Sequence, residues 1–168
     1  MIYQQPPAEE AVDQGDIIDG CALLQVTSFD PDNVDPLEIG YSANRVVVLT
    51  QTCDLANNKT TVVVVGRILA AQSLVDQRVL KAAEVRGAIR AGRVYGLYYL
   101  PGSAELGLPE AIVDLRQLHT VRLDLLLALC RKGLRRARIQ PLYREHLAKH
   151  FADTYSRIGL PAPYDTDP

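Results

Sequence analysis

Four residues of this chain have the side chains that move protons or attack electrophiles: Arg45, Cys53, Asp54 and His119. In-line cleavage of a phosphodiester needs a cation for the crowded phosphate charge, a base and an acid. Arg45 fits the first role, and Asp54 or His119 the proton transfers. Cys53 offers a different chemistry, that of a nucleophile whose pKa a neighbouring base depresses. A reading without chemistry competes: a small Cys and a turn-capping Asp at a strand end.

A second group is basic. Arg131, Lys132, Arg135, Arg136 and Arg138 crowd around Gly133. Such a run makes a phosphate-binding patch, to which Tyr143 and Arg144 add stacking. It equally compensates a helix C-terminus and solvates a surface. His146 and His150 have the i,i+4 spacing of a zinc pair, but the order is Glu-His rather than His-Glu and no third ligand is evident. Cys21, Cys53 and His119 are another set that a fold could gather. No metal is assigned. Phosphate-loop, dinucleotide and nucleophile-elbow motifs are missing from the sequence, and no cofactor is expected.

The elements that must position these residues follow from pattern. Val46–Leu49 and Val62–Val65 are short β-branched runs bounded by turn formers, and both predict buried strands. Val47, Leu49, Val63 and Val65 are the expected core. Strands are predicted over Gly15–Val26, with Gly20 as a bulge, over Arg45–Gln51, Thr60–Arg67 and Val94–Leu100. Ala111–Leu115 and Leu118–Val121 predict one interrupted strand or two short ones. The segment from Ser28 to Ala43, with two prolines and four acids, predicts a long loop. Asn57–Asn58 suits a turn. Helices are predicted from Ser73 to about Ala91, over Leu123–Arg131, and from Pro141 to about Arg157 with a stop at Gly159.

The 168 residues suit one domain over 15–160, between flexible ends at 1–14 and 161–168. The N-terminus lacks the pattern of a signal peptide, no apolar run reaches membrane length, and three cysteines suggest a reducing cytoplasm. The net charge of −2 hides a split. Nine acids and no Lys or Arg precede Arg45, whereas 18 basic residues face 11 acids from there on, a net +7. The acidic segment from Asp30 to Glu38 either screens a basic surface or merely solvates the chain.

The ordered motifs Gly15-Asp16-Ile17, Arg45–Leu49, Thr60–Val65 and Gln117–Val121 resemble those of the MazF/PemK/Kid-type toxins. The tail from Pro141 to Pro163 also resembles the C-terminus of bacterial proteins that share a T-Q-[ST]-C-D-[LI] segment, here Thr50–Leu55. The toxin resemblance implies an SH3-like antiparallel barrel, here with an inserted helix and two C-terminal helices. It also implies a toxin- or defence-linked protein that binds RNA or cleaves it as an endoribonuclease. Arg45 matches the family arginine. Three departures stand against the chemistry: Val46 replaces the following proline, the family's Ser/Thr falls near Ile68, and the RNA-contacting first loop is acidic here.

Two functions therefore follow. One is an RNA-directed protein with Arg45, Cys53, Asp54 and His119 at its centre and the basic run on phosphates. The other is a catalytically silent barrel that serves as a protein-interaction module of a bacterial defence or regulatory system. Single-stranded RNA and a protein are the candidate partners, a homodimer is open, and no membrane contact is expected.

Overall fold

Continuous valine runs need burial on both faces, and the fold provides it. The computed structural model describes residues 1–57 and 59–156. Among these residues seven strands make one sheet: β1 (Tyr3–Gln4), β2 (Asp16–Asp30), β3 (Asn33–Val48), β4 (Val62–Ala70), β5 (Leu97–Leu100), β6 (Ala111–Arg122) and β7 (Arg135–Ile139). Their order is β1-β7-β2-β3-β4-β6-β5, and every pair is antiparallel. Among the described residues five helices accompany them: α1 (Thr52–Ala56), α2 (Ala71–Asp76), α3 (Ala82–Glu84), α4 (Leu123–Arg131) and α5 (Pro141–Tyr155). A π-turn, Val85–Ile89, continues α3.

Val46, Val48, Val63 and Val65 pack with Leu126 and Leu129 of α4, while Val47 and Leu49 pack with Leu147 of α5. The expected core residues Val47, Leu49, Val63 and Val65 are all buried. Gly20 sits at φ +72° where the β2–β3 register shifts, which is the predicted bulge. Gly66 has a different reason: a Cβ there would lie 2.7 Å from Val113 Cγ1.

The architecture is mainly antiparallel β with helices, as the sequence predicts. The sheet is not closed by strand pairing among the described residues. Its two edges do approach, since the Tyr3 hydroxyl donates to the Pro101 carbonyl just past β5 at 2.7 Å.

Four expectations change. The long loop is instead a β-ribbon: β2 and β3 continue as a two-stranded arm as far as Asp30 and Asn33. At its turn the Asp32 N–H donates to Asp30 Oδ1 at 2.9 Å. The predicted helix from Ser73 breaks at Arg78, which adopts φ +60°. Two short pieces let Leu74 and Ile89 share one patch with Leu97 and Ile112. The basic run after Gly133 forms β7, a strand the sequence reading missed. Residues 1–14, read as a loose end, pair with β7 through β1 and bury Val12. Asn58, the Gly159 stop and the tail 161–168 lie outside the described residues. Among the described residues no helix is long and apolar enough to cross a membrane.

Candidate functional site

Arg45 lies on β3 at the mouth of a small cleft of about 350 Å³, with Asp19 and Ile68 among its walls. Its guanidinium is already engaged. Nε and Nη2 donate to the two oxygens of Asp19 at 2.5 and 3.0 Å. Arg136 Nε donates to the same carboxylate at 2.6 Å. Burial pushes Asp19 up, but the hydrogen bonds and charges of Arg45 and Arg136 outweigh it and hold the carboxyl below its usual range. Two guanidiniums share this one carboxylate, so the cluster keeps one net positive charge, but the Nε and Nη2 donors of Arg45 are already taken by Asp19. Ile68, at the place the resemblance gives to a hydroxyl, is an apolar wall.

The other candidates lie apart. Cys53 is exposed and Asp54 half-buried, both on α1, with Asp54 near Lys59 at 3.7 Å. His119 is on β6, opposite Val65, and lines a separate groove of about 880 Å³. Among the described residues, no hydrogen bond or ion pair joins Arg45 to Cys53, Asp54 or His119. Cys21 and Cys130 are buried, and burial pushes the Cys21 thiol up to about 11, which leaves it a poor nucleophile.

The basic run is divided by a register shift in the β2–β7 pairing, which leaves Arg136 outside, and by its acidic neighbours. Arg138 makes a bidentate contact to fully buried Asp16, Nε to Oδ1 at 2.6 Å and Nη2 to Oδ2 at 3.1 Å. Arg135 Nη1 donates to the same Oδ2 at 3.1 Å. The backbone of the first residues completes the cage. Arg135 donates to the carbonyls of Pro7, Glu10 and Ala11, and Arg138 to that of Ala11 and to the Glu10 carboxylate. Arg136 belongs to Asp19. Of the five predicted phosphate contacts, only Arg131 and Lys132 are exposed without an ion pair among the described residues.

His146 and His150 pack around the Tyr98 ring, which explains their spacing as a helix face. Burial, then the neighbouring His146, lowers the pKa of His150. Among the described residues no cluster of His, Cys, Asp or Glu is fit to hold a metal ion.

The unassigned feature is the arm. Beyond Cys21 and Asn44 its strands pair only with each other, because β7 reaches β2 only at Asp16–Ile18 and β4 reaches β3 only at Val46–Val48. Leu24 stands opposite Tyr41, and Val26 opposite Ile39. Leu24, Ile39 and Tyr41 are 69%, 66% and 75% exposed. Phe29 and Leu37 add exposed apolar surface nearer the tip. The tip and its flanks carry Asp30, Asp32, Asp35 and Glu38. The signal was present in the sequence as a period-two pattern, Leu24-Val26 and Leu37-Ile39-Tyr41, but prolines and acids disguised it. No family model matches this chain, and no curated protein is significantly similar to it.

Proposed function

We propose that this protein is a catalytically silent protein-interaction module that docks through its β-arm. The observation that carries this reading is the exposed apolar face of the arm, with Leu24 opposite Tyr41 and Val26 opposite Ile39. Free monomers seldom leave such a patch on two open strand edges, because unpaired edges template association. The arm's charge defines its partner as a protein surface that is apolar at the centre and cationic at the rim. Arg45, whose Nε and Nη2 are held by Asp19, and the buried Arg135 and Arg138 weigh against the RNA reading. In this proposal the kinship with the MazF-type barrels is one of scaffold, and the link to a bacterial defence or regulatory system rests on the resemblance.

Two measurements test it together. A photo-crosslinking amino acid at position 41 should give a discrete protein adduct that vanishes in the Leu24→Thr/Ile39→Thr variant. Labelled single-stranded RNA should bind neither the intact protein nor one with the arm shortened, even at low salt. Tight RNA binding by the shortened protein that is lost in Arg45→Ala, with no protein adduct, overturns the proposal.

A further inference from the structure

The groove that contains His119 has an unusual construction. One wall is the base of the arm, Ala22–Leu24, and the other is the second half of β6. The first turn of α4 contributes Leu125. Both walls are open strand edges. β5 pairs with β6 only over Ala111–Asp114, so the outer edge from Arg116 to Arg122 lacks a ladder partner among the described residues. The facing edge of β2 has no strand partner beyond Asp19, whose N–H donates to the Leu134 carbonyl, among the described residues. The gap therefore offers apolar side chains together with backbone donors and acceptors, the two things a β-ribbon needs.

We propose, resting on the docking reading above, that the arm's occupant is a second copy of this chain, with each arm lying in the other copy's gap. Shape supports this. The chain carries both halves of the match, a projecting ribbon with an apolar face and an apolar gap between strand edges. An arm does not fill its own gap, because Ala22–Leu24 already form a wall of it. A two-fold axis pairs arm with gap twice and leaves neither in excess, so the assembly closes at two copies.

Charge supports it too. Two acidic tips laid on each other repel. Laid across the gap, each tip runs toward Arg131 and Lys132 at the far end of α4, which are exposed and without an ion pair among the described residues, whereas Arg122 at the rim is held by Asp124. Area agrees. Six apolar side chains about half or more exposed present on the order of 700 Å² per arm, close to the ~800 Å² per partner of a standard interface.

Sedimentation velocity of the full chain between about 1 and 100 μM reads the outcome against typical interface affinities. The wild type should be a dimer. The arm variant Val26→Thr/Ile39→Thr/Tyr41→Thr spares the gap-lining Leu24, keeps β-propensity and should weaken association at least about 30-fold. The gap variant Thr120→Glu alters an exposed side chain, leaves the core intact, sets a negative charge against the acidic arm and should weaken association similarly. An equimolar mixture of the two variants should recover a heterodimer, because one arm–gap contact in it is wild type. A wild type that stays monomeric throughout, a gap variant that dimerises normally, or a mixture of folded variants that fails to associate overturns the second copy as occupant. If a different protein is still crosslinked at position 41, the docking reading survives that failure; if no protein is, both fall.

Discussion

Strand β7 and the β-arm distribute their residues in opposite ways. β7 turns two arginines inward and satisfies them with a buried carboxylate and the carbonyls of residues 7–11. The arm turns leucine, isoleucine and tyrosine outward on a ribbon supported by nothing beyond its own ladder. Charge inside and hydrocarbon outside both run against the average protein. The contrast separates two jobs. Removing one partner of a buried charge set damages the fold, whereas removing apolar atoms from an exposed ribbon leaves the fold alone and damages only what docks there.

The largest effect should come from Asp16→Ala. It removes the one fully buried carboxylate, leaves Arg135 with carbonyl partners alone and Arg138 with Glu10, and should cost about 3–5 kcal/mol in urea unfolding. Adding Arg138→Met should recover part of that loss, since an apolar side chain of similar length needs no counter-charge. A loss below about 1 kcal/mol for Asp16→Ala would erase the contrast.

The Asp19 cluster, partly exposed, should rank second. Arg45→Ala should cost at most about 1 kcal/mol at neutral pH. Its acid limb is more telling. The folded pKa of Asp19 lies below the ordinary 3.8, so its contribution is present above that pH and is lost as pH falls through the folded value. Unfolding midpoints between about pH 2 and 7 should therefore fall less steeply in Arg45→Ala than in wild type. Equal slopes would mean that Asp19 owes nothing to Arg45.

The smallest change in stability should belong to the triple arm variant, within about 0.5 kcal/mol of wild type, although its association collapses. A large loss of stability would show instead that the arm is part of the core.

Much of the sheet was legible because β-branched runs such as Val46–Val48 and Val62–Val65 have no competing reading. Helix α4 was legible to the residue, between Leu123 and Arg131. β7 was not, because arginine is read as solvated unless its counter-charges are known. Asp16 and the carbonyls of residues 7–11 are distant in sequence. The arm was missed because proline and acid content signals a loop, while the alternation of Leu37, Ile39 and Tyr41 signals a strand only once its partner at Leu24–Val26 is known. The single residues Arg45, Cys53, Asp54 and His119 were legible as chemistry, but sequence does not show that Asp19 claims the arginine.

The carbonyl cage around β7 also orders events in time. Asp16 and Arg138 are 122 residues apart. At roughly 5–20 residues per second, synthesis separates them by about 6–24 s. Throughout that interval β1 has no strand partner, and Asp16 lacks the guanidiniums of β7. Tyr3–Gln4, made before any other described strand, thus pair after β2, β3, β4 and β6 are in hand. A chain halted before β7 cannot bury Asp16 or seat β1, and remains open to a protease. The buried arginines act as a completeness check on the polypeptide, one that only a ribosome reaching Arg138 can satisfy.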